Sequence, residues 1–157
     1  MTIHDDVLII GSGIAALQLA SLLNKDLNVR ILTKDKIRTA NSYLAQGGIA
    51  AAIGEHDHPS KHIADTHEAG RYHNNPEAVE EIIYAAPGLI KFISEQGSVF
   101  DKNQDGKLLP GMEGAHSEKR IVHGGGDATG KNVVEFLIST LKENVTIEED
   151  VFAYELL

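Results

Sequence analysis

Gly11, Gly13 and Ala16 form a G-x-G-x-x-A turn between an apolar run, Val7 to Ile10, and an alanine- and leucine-rich run, Ile14 to Leu23. Such a turn suits one kind of chemistry. The first glycine permits a tight bend, the second lets a pyrophosphate approach bare backbone, and the small third residue lets helix and strand pack closely. The helix that follows aims unpaired N–H groups at the phosphates. A bare match is weak evidence. Here it has a strand before it, a helix after it and a place near the N-terminus, which is the context a dinucleotide site needs. The competing reading is an ordinary strand–helix turn with glycines for geometry. The candidate contacts are Gly11, Ser12, Gly13, Ile14, Ala15 and Ala16.

The next strand, Val29 to Thr33, should end in an acid that holds the adenosine ribose. It ends in Thr33-Lys34, with Asp35 beyond the natural strand end. Lysine only donates hydrogen bonds and cannot replace a ribose-binding carboxylate. An NAD site of the usual kind is therefore disfavoured. An NADP site, with a cation for the 2′-phosphate, stays open on these residues.

Three other groupings suggest chemistry and are declined. Asp101, Asn103, Asp105 and Gly106 open like a calcium loop, but Met112 holds the position that needs a bidentate Glu, and Glu113 comes one residue late. A turn between the segments SVF and KLL fits better. Gly125 to Lys131 matches the G-x-x-x-x-G-K phosphate loop, but Asn132 follows where Ser or Thr should hold magnesium. A glycine loop passing close to a ligand or another backbone, then capped by Asp127 or Thr129, is the simpler reading. His58, His62 and Asp65 are spaced for zinc on one helix face. A solvated polar face is the commoner use of such residues, so no metal site is assigned, and no catalytic residue either.

These residues need elements to hold them. Val7 to Ile10 is a continuous apolar run, as in a strand buried on both faces. Leu17, Ala20 and Leu23 mark a helix that stops at Asn24. With Val29 to Thr33 this makes a βαβ unit and hence a parallel pair. A polar helix fits between Pro59 and Gly70. A longer one starts at the Asn75 cap and Pro76, carries Val79, Ile82, Ile83 and Ala86, kinks or restarts at Pro87, continues through Leu89, Ile90 and Ile93, and ends at Gly97. Thr129 to Lys142 is a third amphipathic helix, with Val133, Val134, Leu137, Ile138 and Leu141 inward. Val145 to Ile147 and Val151 to Leu157 read as strands.

The bulk figures narrow the classes. The 157 residues suffice for one domain and not for two full ones. A net charge of -9 argues against a nucleic-acid or anionic-membrane surface. With no cysteine there are no disulfides or thiolate metal sites. No apolar run approaches the ~18 residues of a membrane span. The acidic start MTIHDD shows no signal peptide, and a cytoplasmic chain is expected.

The stretch ANSYLAQGGIAAAIG, Ala40 to Gly54, read with Thr33-Lys34, resembles the flavoprotein family of fumarate reductase, succinate dehydrogenase and L-aspartate oxidase. In that family the second strand ends in Ser/Thr-Lys, and a segment ending A-Q-G-G-I passes over the flavin, as Ala45-Gln46-Gly47-Gly48-Ile49 would here. The stretch EGAHSEKRIVHGGGDATG, Glu113 to Gly130, is similar to the L-aspartate oxidase branch and accounts for the phosphate-loop match. The resemblance covers essentially the whole chain.

It implies an α/β, Rossmann-like FAD-binding domain with a parallel sheet, of which residues 1–157 form the N-terminal part. The capping and C-terminal regions would be absent. It implies FAD as cofactor, with Lys34 at the adenosine end and Asn41, Ser42, Tyr43, Leu44, Ala45, Gln46, Gly47, Gly48, Phe152 and Ala153 also against it. Asn41 stands where a histidine bonds covalently to flavin in the dehydrogenase and reductase branch, so noncovalent binding is implied. Glu113 would face the substrate amino group, a carboxylate suiting an ammonium by charge. His116, Arg120 and His123 are left to structural hydrogen bonding. The implied activity is oxidation of L-aspartate to iminoaspartate, with fumarate or oxygen as acceptor, in NAD biosynthesis. The chain alone would be inactive and would self-associate through a strand edge at AYELL. The alternatives are a fumarate reductase- or succinate dehydrogenase-like flavoprotein, a nucleotide-binding module without catalysis, and a phosphate-loop NTPase.

Overall fold

The computed structural model describes residues 3–97 and 99–155. Its elements are β1 (Val7–Ile10), α1 (Ile14–Leu22), β2 (Val29–Leu32), a 3-10 turn (Ile37–Thr39), α2 (Asn41–Leu44), β3 (Ile49–Ala50), α3 (Pro59–Ala69), α4 (Pro76–Gln96), β4 (Ile121–Val122), α5 (Thr129–Thr140) and β5 (Val145–Glu148). The chain divides into two compact units, Met1–Ala45 with Gly130–Leu157, and Gln46–Thr129. Neither crossing carries a Pro- or Ser-rich linker, so composition does not mark the division.

The first unit holds the parallel sheet expected of a βαβ start, in the order β1-β2-β5. Val7 to Ile10 pair with Val29 to Leu32, and these pair in turn with Val145 to Glu148. The central strand is the most enclosed: Val29 and Ile31 are buried. The outer strand β1 is not buried on both faces as its apolar run suggests. Ile9 is buried, but Leu8 is 51% and Ile10 55% exposed. Side chains alternate across a strand, and among the described residues only the Ile9 face of β1 is well covered.

Two further expectations change in this unit. Val151–Glu155 is irregular rather than a strand, and Leu156 and Leu157 lie outside the described residues. Asp150 just after β5 takes a left-handed φ of 62°, which breaks the extended run. Ala153 to Glu155 therefore do not form the strand edge expected to mediate self-association. The helix α5 begins as read and buries Val133, Val134 and Leu137, while Ile138 and Leu141 are only half-buried. The Thr129 hydroxyl at its start accepts a hydrogen bond from the Gly124 N–H at 3.0 Å.

Gly130, the sixth residue of the declined phosphate loop, has a steric role. A Cβ there would lie 2.1 Å from the Ser42 carbonyl oxygen and 2.7 Å from that of Ala45. Its own N–H donates to Ala45 O at 2.8 Å. The glycine is needed where one backbone meets another, and this fixes the end of α2 against the start of α5.

The second unit contains α3, α4 and the antiparallel pair β3-β4, in which Ile49 opposes Val122 and Ala50 opposes Ile121. The helix α3 has Pro59 in its first turn and Gly70 as its C-cap, as read. The helix α4 starts at the Asn75 cap, whose side chain accepts from the Ala78 N–H, and it runs unbroken through Pro87. Pro87 removes one backbone hydrogen bond. The buried residues Ile83, Ile90 and Ile93 share one stripe across the proline, and packing of that stripe outweighs the lost bond. The stripe is narrower than the sequence suggests, since Ile82 and Leu89 are exposed. No described helix is long and apolar enough to cross a membrane.

Candidate functional site

In the first unit a cleft of about 440 Å³ opens at the carboxyl ends of β1 and β2. Its walls are the glycine turn (Gly11, Ser12, Gly13), the end of β2 (Thr33, Lys34), the start of α2 (Asn41, Ser42) and the segment Val151, Phe152 and Ala153. This position, outside the carboxyl ends of parallel strands, is where open α/β sheets bind ligands.

Each wall is held by the backbone chemistry beneath it. Gly11 takes a φ of +103°, which a residue with a side chain rarely adopts, and its N–H donates to Leu32 O at 2.8 Å. The buried Ser12 hydroxyl donates to Thr33 Oγ1 at 2.9 Å, tying the turn to the end of β2. Thr33 is clamped further: its N–H donates to Glu148 O at 2.9 Å, and its carbonyl accepts from the Val151 N–H at 3.0 Å. Thr33 is thus structural, and Lys34 beside it is exposed, with no hydrogen bond or ion pair among the described residues. Lys36, another cleft residue, is already paired with Asp150 and Glu149. Hydrogen bonds to those two carboxylates, Asp150 first, raise its ammonium above the usual range.

The far wall is braced by a bidentate pair. Arg38 donates to Glu135 through Nε at 2.7 Å and Nη2 at 2.9 Å. These hydrogen bonds hold the Glu135 carboxyl below its usual range. The Tyr43 hydroxyl also donates to Glu135, at 3.4 Å, so Tyr43 serves the brace rather than the cleft.

Gly13 is the N-cap of α1 with φ -69° and ψ 173°, a conformation open to any residue. A Cβ there would meet only the Ser42 Oγ, at 3.5 Å, an ordinary contact. The fold itself does not require glycine at this position. Ser42 Oγ accepts from the Ile14 N–H at 3.1 Å, while the next N–H groups of α1 have no partner within the helix. Bare glycine backbone, a helix N-terminus and an unpaired lysine suit the pyrophosphate of a dinucleotide.

Among the predicted contacts, Gly11, Ser12, Gly13, Lys34, Asn41, Ser42, Phe152 and Ala153 line the cleft. Ile14, Ala15, Ala16, Tyr43, Leu44 and Ala45 do not. Thr39 and Ala40 line it too and escape sequence reasoning, because the 3-10 turn that presents them leaves no periodic signal. Gln46, Gly47, Gly48 and Glu113 belong to the second unit.

There the two glycines of Gln46-Gly47-Gly48 separate by role. A Cβ on Gly47 would meet nothing within 4 Å, whereas a Cβ on Gly48 would lie 2.6 Å from Ile121 Cγ2 and 2.8 Å from Val122 O. Gly48 also takes a φ of +78°. The chain needs Gly48 for the β3-β4 pair and leaves Gly47 open. The declined loops are explained as well. Both Gly125 and Gly126 donate their N–H groups to the Asp101 carboxylate, at 2.9 and 3.1 Å. The phosphate-loop look-alike therefore cradles a carboxylate of its own chain. Asn103 closes the preceding turn by accepting from the Asp105 and Lys107 N–H groups, and Lys102 and Leu108 bridge across it.

A buried charge cluster anchors the stretch that carries Glu113. Arg120 is fully buried and binds Asp57 through Nε and Nη2, both at 2.9 Å, and Asp65 through Nη1 at 2.5 Å. Asp65 also accepts from the Ser117 N–H and hydroxyl, each at 2.8 Å. Burial alone would raise the Asp65 carboxyl, but the Ser117 bonds and then Arg120 bring it below its usual range. His62 is buried beside this cluster with no hydrogen bond to Nδ1 among the described residues. Burial, then the Arg120 charge, then His116 hold its imidazole below the usual value. Two of the three zinc candidates have other partners: His58 caps α3 by accepting from the Ser60 N–H, and Asp65 binds Arg120.

A pH dependence follows from the sign of these shifts. Below the ordinary imidazole value near 6.5 the unfolded chain binds a proton that folded His62 resists. Its contribution to stability is therefore complete above that value and is lost as pH falls through the lower folded value. Asp65 acts in the same direction at lower pH, because its folded value is also depressed. Urea unfolding should show stability falling between pH 7 and pH 5, with a shallower fall in His62→Gln. An identical slope in that variant would contradict the assignment.

Comparisons with known proteins agree with this geometry. A family described as "FAD binding domain" matches residues 6–157. The L-aspartate oxidase of Bacillus subtilis (strain 168) is 38% identical over 151 residues, which is 96% of this chain and 28% of that protein. The L-aspartate oxidase of Clostridium acetobutylicum is 43% identical over 159 residues, 100% of this chain and 36% of that protein. The chain thus spans about a third of the length of these relatives. Among solved structures, an E. coli quinol fumarate reductase FrdA chain with the E245Q mutation superposes with a TM-score of 0.87 at 21% identity, covering 96% of this chain and 26% of that one. The Mycobacterium smegmatis Sdh1 complex in the apo form gives 0.83 at 26% identity, covering 93% and 27%. The glycine turn, the cleft it walls and the match across residues 6–157 lead to one conclusion: this chain belongs to the FAD-binding domain family.

Proposed function

We propose that the full-length gene product oxidises L-aspartate to iminoaspartate with noncovalently bound FAD, using fumarate or oxygen as electron acceptor and supplying NAD biosynthesis from the cytoplasm. The observation that carries this reading is the set of L-aspartate oxidase relatives at 38% and 43% identity along nearly the whole chain. A fumarate reductase-like function has weaker support, since the FrdA likeness stands at 21% identity.

In this reading the cleft receives the ADP half of FAD. Gly13 admits the pyrophosphate to bare backbone, the start of α1 offers N–H groups, and Lys34 offers the unpaired cation. When bound, FAD supplies the acceptor for the hydride leaving the substrate Cα. Gly47, free of any neighbour of its own, belongs to the segment assigned to the flavin. Glu113, 48% exposed at its side chain, pairs its carboxylate with the substrate ammonium and so favours aspartate over succinate or fumarate. The stretch that carries it is pinned at Gly111, which exchanges two backbone hydrogen bonds with Ile121, at 2.7 and 3.1 Å.

Hydrogen peroxide release from L-aspartate by the purified full-length product with added FAD tests the activity. Turnover that depends on both additions is expected, and a flavin-loaded protein inert toward aspartate would overturn the reading. Attachment has its own test. Asn41 lines the cleft and has no imidazole to bond to flavin, so acid precipitation should release all the flavin. Yellow colour kept in the washed pellet would contradict noncovalent binding.

A further inference from the structure

We propose that His123 is a positioning residue for Glu113, holding that carboxylate toward the substrate ammonium and thereby setting preference for an amino dicarboxylate. The proposal rests on the reading of Glu113 given above. His123 Nε2 lies 3.8 Å from Glu113 Oε1. That is too long for a hydrogen bond, so the ring acts through its N–H dipole and through the space it fills.

The ring is held in a place built for it. A Cβ on Gly111 would lie 3.3 Å from His123 Nε2, and one on Gly48 would lie 3.0 Å from His123 Cε1. Both contacts are tighter than side chains ordinarily tolerate, so the imidazole occupies space that two glycines leave open. Its backbone is fixed on both sides. Val122 pairs with Ile49 in the strand before it, the His123 carbonyl accepts from the Asp101 N–H at 2.8 Å, and the Gly124 N–H is bound by Thr129. Glu113, by contrast, sits half-exposed on an irregular loop, and His123 is the only ion-pair partner of its side chain among the described residues. A fixed ring beside a half-exposed carboxylate narrows the rotamers open to Glu113 and lowers the cost of ordering it when an ammonium arrives.

The test is direct binding to the FAD-loaded full-length product, reduced and kept anaerobic so that aspartate is not consumed. Calorimetry gives Kd for L-aspartate and for succinate in the parent protein, H123L, H123Q, E113Q and E113Q/H123L. H123L is expected to weaken aspartate about tenfold and succinate hardly at all. H123Q, which keeps an N–H donor in the same space, should restore most of the loss. E113Q/H123L should bind aspartate no more weakly than E113Q alone, because His123 acts through Glu113. Equal weakening of both ligands by H123L, no rescue by H123Q, or a full His123 effect persisting in the E113Q background would each overturn the proposal. If H123L fails to retain flavin, the comparison of H123A with E113Q/H123A decides by the same criterion of non-additivity. Should E113Q itself weaken aspartate and succinate alike, the reading of Glu113 fails, and the proposal with it. Should E113Q discriminate while H123L does not, only the proposal fails.

Discussion

Gly13→Val in the full-length gene product is expected to lose its bound FAD while keeping its fold. The backbone at Gly13 is extended, so a β-branched residue fits its φ and ψ, and a Cβ there touches only Ser42 Oγ at 3.5 Å. Nothing in the chain requires the glycine. What the new methyl groups occupy is the space in front of α1 where the pyrophosphate would approach. Loss of two charge-assisted hydrogen bonds, each about 1.5 kcal/mol, corresponds to roughly a hundredfold weaker binding. Gly13→Ala adds the smallest obstruction and should fall between the two. Flavin absorbance after gel filtration, with a urea midpoint as control for the fold, measures both effects. Unchanged flavin content in Gly13→Val would place the cofactor elsewhere.

The second large effect concerns stability. Arg120→Leu removes the cation from between Asp57 and Asp65, whose side chains are 1% and 15% exposed. The pair itself is weak evidence for stability, because desolvating three charges offsets much of their attraction. Breaking it is another matter: two carboxylates then face each other in a buried site, at a cost of about 3–5 kcal/mol. The triple replacement of Arg120, Asp57 and Asp65 by leucine should recover most of that loss, since no uncompensated charge is left. A single variant as stable as the parent would show that the cluster is open to water. Failure of the triple variant to recover would point instead to the Ser117 bonds, which also end on Asp65.

Several of these features are readable from residue types alone. An apolar run, a glycine turn and an alanine-rich run can hardly form anything but the start of a βαβ unit, and the parallel pair of Val7 to Ile10 with Val29 to Leu32 follows. Asn75-Pro76 and Pro59 mark helix starts by chemistry that acts within a few residues. Where local signals conflict with packing, packing decides. Pro87 ends a helix by rule, but buried Ile83 and Ile90 on one stripe carry α4 through it. Hydrophobic type alone does not say which faces are covered, so Leu8 and Ile10 read as buried in the sequence although they are exposed. Nor does it say where a strand stops, which at β5 depends on the left-handed turn at Asp150. The two glycines of Gln46-Gly47-Gly48 look alike in the sequence, and only the neighbours of each Cβ position distinguish the one the chain needs from the one it leaves open. Arg120 with Asp57 and with Asp65 on α3, and His123 with Glu113, are contacts with no periodic trace, so residue spacing carries no signal for either.

The most direct test of the central claim is the flavin absorption of the full-length, FAD-loaded product mixed anaerobically with L-aspartate. If the cleft of Gly11, Gly13 and Lys34 holds the cofactor of an aspartate-oxidising enzyme, the visible band bleaches with aspartate, stays unchanged with succinate, and returns on adding fumarate or oxygen. A stably bound flavin that stays oxidised in aspartate would contradict the account, as would a product that takes up no flavin at all.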